Sequence, residues 1–185
     1  KNNVSGSEKK LKAFGVAGIS RSLSPAEMDR ELPPIFEHIS RVPSLFFHYK
    51  TCSTFDSSPQ VGSIGHAIDL AYPHFHSHII PLLIGAPSLN RFCLFGNLFA
   101  RVDGVTYRLD RHPTMSRHPV TPMDESDIRL HLAKQTNRPC HLIDLFALEA
   151  DDTEQNQRFE SLHISEGDYV LFDTYHQQHL LNVGK

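Results

Sequence analysis

Short apolar runs, each closed by glycine, proline or a polar cluster, most limit the folds open to this chain. They lie at residues 12–19 (KAFGVAGI), 45–49, 79–84, 140–145 and 169–172. Runs of this length without polar alternation predict strands buried on both faces, as in parallel sheets. The intervening segments carry helix signals. Ser24-Pro25-Ala26-Glu27 combines a capping box with a first-turn proline and predicts a helix to residue 39, kinked or interrupted at Pro33 and Pro34. Ile64, Ala67, Ile68 and Ala71 share one helical face over residues 64–72. Residues 152–162 predict an amphipathic helix, and residues 176–183 a final helical turn or two. The opening order β-α-β-α-β predicts an α/β domain built on an open, mostly parallel sheet with helical crossovers.

An inserted β-hairpin interrupts that order. Asp103-Gly104 joins apolar arms at residues 91–102 and 105–109, the strongest short hairpin signal. The loop that follows, residues 108–123, holds three prolines and is too long and polar to be a plain connection. Thr121-Pro122, with Asp124 three residues on, predicts a capped helix running to Gln135.

The 185 residues suit one domain: a flexible lead-in over residues 1–10 and a globular unit over 11–185. A net charge of −3 with mixed signs gives no basic face for nucleic acid. No apolar run reaches the ~20 residues that span a bilayer, so no membrane partner is expected. Three widely spaced cysteines without CxxC spacing favour reduced thiols and a cytoplasmic location.

Chemistry concentrates between His48 and Gly65. An apolar run ends in Lys50, followed by Thr51, Ser53, Thr54, Asp56, Ser57 and Ser58. A strand whose carboxyl end carries a cation, hydroxyls and a carboxylate is the expected form of a ligand site in an open α/β sheet. Lysine donates, aspartate accepts and hydroxyls do both, which suits a small polyhydroxylated anion. Ser20-Arg21-Ser22 ends the preceding run in the same way. Its guanidinium fits a bidentate oxyanion and is expected beside the Lys50 run.

Lys50-Thr51-Cys52-Ser53-Thr54-Phe55-Asp56-Ser57-Ser58, Gly62-Ser63-Ile64-Gly65 and His118-Pro119-Val120-Thr121-Pro122-Met123 together resemble the four-carbon acid sugar kinase family. Ser20-Arg21-Ser22 and Phe172-Asp173 fit it as well. The likeness runs from about Phe14 to Gly184 and covers the family's N-terminal, sugar-binding domain. It implies phosphoryl transfer from ATP, with Mg, to four-carbon sugar acids such as erythronate, threonate or 3-oxo-tetronate. The nucleotide would be bound by a separate C-terminal nucleotide-binding domain. The family's opening strand, with its Asp-Asp-x-Thr-Gly-Ala turn, is not found before Lys1, nor its nucleotide domain after Lys185. The expectation is therefore a kinase part that is inactive alone and holds no cofactor itself.

Under this resemblance Arg21, Lys50, Ser53, Thr54, Asp56, Ser57, His118 and Thr121 form the substrate site. Arg21 and Lys50 anchor the carboxylate or steady the phosphoryl group. Asp56 holds a sugar hydroxyl or takes its proton as catalytic base. Some of the hydroxyls cap the next helix, whose positive end helps hold an anion. The rival is a non-catalytic binding module for small hydroxy acids using the same pocket. A metal site is not expected: His74, His76 and His78 alternate, but no carboxylate or cysteine accompanies them. The exposed hairpin offers a contact for a homodimer.

Overall fold

The computed structural model describes residues 12–184. The proposed lead-in over residues 1–10 lies outside the described residues. Among the described residues, six strands form two three-stranded sheets. In the first, β1 (Ile79–Leu82), β6 (Asp168–Phe172) and β5 (Cys140–Ile143) run parallel in the order β1-β6-β5. Ile79 pairs with Asp168 on one side, and Cys140 with Tyr169 on the other. The last strand is thus the central one. Tyr169, Val170 and Leu171 are fully buried, as an unbroken apolar run requires.

The second sheet is inserted between β1 and β5. It comprises β2 (Arg91–Leu94), β3 (Asn97–Val102) and β4 (Val105–Arg108), all antiparallel. Asp103 and Gly104 adopt φ of 50° and 78°, the left-handed conformation that two-residue hairpin loops favour. The arm expected over residues 91–102 is two strands, not one. Phe95 and Gly96 turn the chain with φ of 52° and 79°. That turn is held by the Asp173 carboxylate, which accepts the N–H groups of Phe95 (2.5 Å), Gly96 (3.0 Å) and Leu145 (3.0 Å). Cys93 and Thr174 exchange backbone hydrogen bonds of 2.8 and 2.9 Å and join the two sheets.

Helix α1 (Pro25–Ser40) starts on the capping box of Ser24 and Glu27. It passes Pro33 and Pro34 without interruption, because Met28, Leu32 and Phe36 bury one face against α2 (Ile64–Phe75). Helices α4 (Leu145–Glu149), α5 (Asp152–Ser161) and α6 (Gln177–Val183) complete the C-terminal half; α4 had no separate signal in the sequence. No described helix is long and apolar enough to cross a membrane.

Three expected elements differ. Residues 12–19 and 45–49 form no strand, and Leu45 and Phe46 stand 93% and 88% exposed. An apolar run becomes a strand only where a neighbour completes its ladder, and no described strand lies alongside either one. Phe47 and Tyr49 instead pack against the α1–α2 layer. The third difference is the helix expected from Thr121. It is short, α3 (Ile128–Ala133), and its cap is Asp127, which accepts from Arg129 N–H at 2.9 Å. Thr121 and Asp124 are drawn off to other partners: Asp124 pairs with Lys134 at 2.8 Å.

Candidate functional site

The site is built around Asp56, whose side chain is 0% exposed. Phe55, immediately before it, has φ of 52°. A bulky residue in the left-handed region is strained, by roughly 1–3 kcal/mol. The strain reverses the chain so that the Phe55 ring enters the main core while the Asp56 carboxylate meets three donors. Thr54 Oγ1 donates to Oδ1 at 2.5 Å, Arg21 Nη2 to Oδ2 at 2.6 Å, and Thr121 Oγ1 to Oδ2 at 3.2 Å. Burial works to raise the carboxyl pKa. The Thr54 and Arg21 hydrogen bonds, the Arg21 charge and the Thr121 bond outweigh it, holding Asp56 below its ordinary value. The same hydrogen bond, and then the charge of Asp56, raise the pKa of Arg21.

Arg21 sits in a single 3-10 turn, Ser20–Ser22. Two contacts fix that turn. Ser20 Oγ lies 2.8 Å from Tyr49 Oη, so the Arg21 and Lys50 segments run past each other one residue away. Gly62, with φ of +62°, brings its N–H to Leu23 O at 2.8 Å; a Cβ there would meet Arg21 O at 2.4 Å. Only glycine allows both the turn and the approach.

The second signature arrives from the opposite side. His118 Nδ1 accepts the Thr121 backbone N–H at 3.0 Å, which places the proton of a neutral ring on Nε2. Thr121 Oγ1 also lies 3.0 Å from that nitrogen. Lys50 is exposed and Ser53 half-buried, and neither has a side-chain hydrogen bond among the described residues. Cys52 is half-buried, its Sγ 3.2 Å from Thr54 Oγ1.

Of the eight residues singled out, Arg21, Thr54, Asp56, His118 and Thr121 thus form one connected network. Ser57 turns away from it. Its hydroxyl lies 2.9 Å from His131 Nε2 and accepts from Gln135 Nε2 at 2.9 Å. Sequence reading missed His131 and Gln135. The available signal was a polar pair four residues apart beside the buried face of Ile128 and Leu132. Burial, chiefly, lowers the His131 pKa to about 4. The cap of α2 is Ser63, not one of the earlier hydroxyls; it accepts His66 N–H at 3.2 Å. Gln135 Oε1 takes Gly65 N–H at 3.2 Å, so these first-turn donors are already engaged.

His74 falls in the last turn of α2 and His76 caps it at φ of 41°, so the alternating histidines share no strand face. Glu149, His176 and His179 are the metal-compatible cluster among the described residues. His179 Nδ1, however, accepts Tyr175 N–H at 3.1 Å, leaving a proton on the Nε2 that faces Glu149 at 3.2 Å. That nitrogen has no free lone pair for a cation.

The fold and this network define a class: an α/β domain with a buried carboxylate held by two threonine hydroxyls and paired with a half-exposed arginine. A family model described as a sugar-binding N-terminal domain matches residues 2–185, and the chain belongs to that family. It is 50% identical to a 3-oxo-isoapionate kinase of Paraburkholderia graminis over 95% of this chain and 37% of that protein. A 3-oxo-tetronate kinase of Pectobacterium atrosepticum is 30% identical over 75% of this chain and 31% of its own length. The chain therefore spans about a third of the length of these relatives. A solved Haemophilus influenzae protein shares the fold, with a TM-score of 0.75 at 21% identity over 89% of this chain and 38% of that one. So does a Bordetella bronchiseptica domain of unknown function, a domain-swapped dimer with bound citrate, at TM-score 0.62 and 16% identity over 89% and 37%.

Proposed function

We propose that this chain is the acid-sugar-binding part of an ATP-dependent kinase acting on small sugar acids of the 3-oxo-tetronate, erythronate or threonate type. The observation that carries the reading is the Arg21–Asp56 pair. Asp56 holds Arg21 by one nitrogen at 2.6 Å, and the guanidinium, 58% exposed, keeps its other donors for a ligand. Lys50, on the neighbouring segment, supplies a second cation, and His118 Nε2 and Ser53 supply neutral hydrogen bonds. Two kinases among the relatives are named for 3-oxo sugar acids, which supports that substrate class.

The residue roles follow from the chemistry. Arg21 and Lys50 anchor the substrate carboxylate or steady the transferred phosphoryl group. Thr54 and Thr121 hold the Asp56 carboxylate behind Arg21, and Ser57, facing His131 and Gln135, supports the turn from behind. Asp56 already accepts three hydrogen bonds and is fully buried, so it acts by aiming Arg21 rather than by taking a proton. The same burial, at 0% side-chain exposure, keeps the carboxylate from Mg, and these residues do not fit a magnesium–nucleotide site. ATP and Mg would be held by a C-terminal nucleotide-binding domain, as the greater length of the relatives supports. Phosphoryl transfer is largely positioning and charge stabilisation, so this part would hold the acceptor and the other the donor.

The lack of an available base among these residues also favours a second reading, a non-catalytic module for small hydroxy acids. We place the protein in the cytoplasm, which its three free cysteines support, and β4, an edge strand of its sheet, offers a surface for a homodimer. Calorimetry with L-threonate and D-erythronate tests the shared site. Lys50→Ala should weaken binding by about 1.5–3 kcal/mol, and unchanged affinity would remove Lys50 from the site. A coupled ADP-release assay on the complete gene product separates kinase from module.

A further inference from the structure

We propose that Gln135 and His131 are positioning residues for this site: a buried polar relay from α3 through Ser57 sets the turn that carries Asp56. The inference rests on the sugar-acid reading only for what the turn presents, not for how it is held.

One fixed donor orients the Gln135 amide and, through it, the His131 ring. Gly65 N–H can only donate, so the Gln135 amide turns its Oε1 toward it, at 3.2 Å. Ser63 Oγ donates to the same oxygen at 3.3 Å. The amide nitrogen therefore faces the other way, donating to Ser57 Oγ at 2.9 Å and to His131 Nε2 at 3.0 Å. His131 Nε2 must accept, which puts the proton of the neutral ring on Nδ1. That Nδ1 is buried and has no partner. A buried orphan donor is rare. The ring keeps this orientation because the relay, not its own remaining nitrogen, is satisfied by it.

The relay has a specific target. The single Ser57 hydroxyl proton has two acceptors, His131 Nε2 at 2.9 Å and Phe55 O at 3.1 Å, so the hydroxyl ties the residue held at positive φ to the α3 side chains. Phe55 meets the edge of the His131 ring, with centroids 6.2 Å apart. The strained turn is thus gripped from α3 on one side, while Thr54, Arg21 and Thr121 grip Asp56 on the other. Gly65 makes the approach possible: a Cβ there would lie 2.9 Å from Gln135 Cβ and 3.0 Å from Thr136 Cγ2. Burial keeps His131 neutral near pH 7. The charged groups around it are Lys134 on its own helical segment, Asp124 and Glu125 from the preceding loop, and Asp56 itself.

Amide hydrogen exchange on the 185-residue chain tests the relay, with Val170 and Leu171 of β6 as controls for global folding. Gln135→Ala should speed exchange at Phe55 and Ser58 at least tenfold and leave the controls unchanged. Gln135→Glu keeps the acceptor for Gly65 N–H but loses the donor to Ser57 and His131. It should speed Phe55 and Ser58 while Gly65 stays protected, a split that general loosening would not produce. Imidazole nitrogen shifts should report an Nδ1–H ring at His131 in the wild type. Exchange at Phe55 and Ser58 within twofold of wild type in both variants would overturn the positioning role. L-threonate and D-erythronate calorimetry on the same samples keeps the two ideas apart. Fast exchange in the variants with no wild-type binding would leave the relay standing and sink the sugar-acid reading.

Discussion

Replacing Asp56 by asparagine isolates the charge at the centre of the site. The carboxylate accepts bonds of 2.5, 2.6 and 3.2 Å, and an amide of the same shape must turn one N–H toward a donor. Breaking a buried ion pair costs about 3–5 kcal/mol when the partner is stranded without solvent. Here Arg21 is 58% exposed and would return to water, so its share is discounted. The loss that remains, from the charge-assisted bonds of Thr54 and Thr121, is about 2–3 kcal/mol. With a urea slope of ~2 kcal/mol/M, the unfolding midpoint should fall by about 1–1.5 M at pH 7.

The pH dependence carries the sign. The folded pKa of Asp56 lies below the unfolded value, which is about 3.9. Its contribution is therefore fully present above about pH 4 and is lost as pH falls through the lower, folded value. The gap between wild type and Asp56→Asn should close in that acid range. Asp173 titrates with the opposite slope, because burial, above all, raises its pKa. The difference between the two proteins, and not either raw curve, is the quantity to read. A midpoint within ~0.2 M of wild type at pH 7 would refute the reasoning.

Two further outcomes are expected. Gly62→Ala places a Cβ 2.4 Å from Arg21 O at a φ of +62° and should cost about 1–3 kcal/mol in urea unfolding, with weaker threonate binding as the Arg21 turn shifts. Burial is the main reason that the Cys93 pKa stands well above its ordinary value and that of Cys140 is raised to about 12. Alkylation at pH 8 should therefore leave both thiols unmodified in the folded chain and modify them on unfolding, as mass spectrometry of the peptides would report.

Much of the architecture was legible in residue order alone. The Ser24–Glu27 capping box, the apolar face of residues 64–72 and the Asp103-Gly104 turn act through neighbours a few positions away, and the structure contains each of them. The Phe95-Gly96 turn was not legible, because Phe is a poor left-handed residue. It holds that conformation with Asp173, 78 positions distant, accepting its N–H.

The site divides along the same line. Local sequence brought Thr54 and Asp56 together, and the cationic ends of two apolar runs, Arg21 and Lys50, could be read from residue order. That Arg21 is already committed to Asp56, that Thr121 joins it from 65 residues away, and that Ser57 faces His131 across 74 depended on tertiary contacts. Residues 12–19 and 45–49 show the same limit, since their composition is that of strands. Hydrophobicity and turn chemistry are properties a segment owns. A ladder or an ion pair belongs to two segments, and only the folded chain decides which two meet.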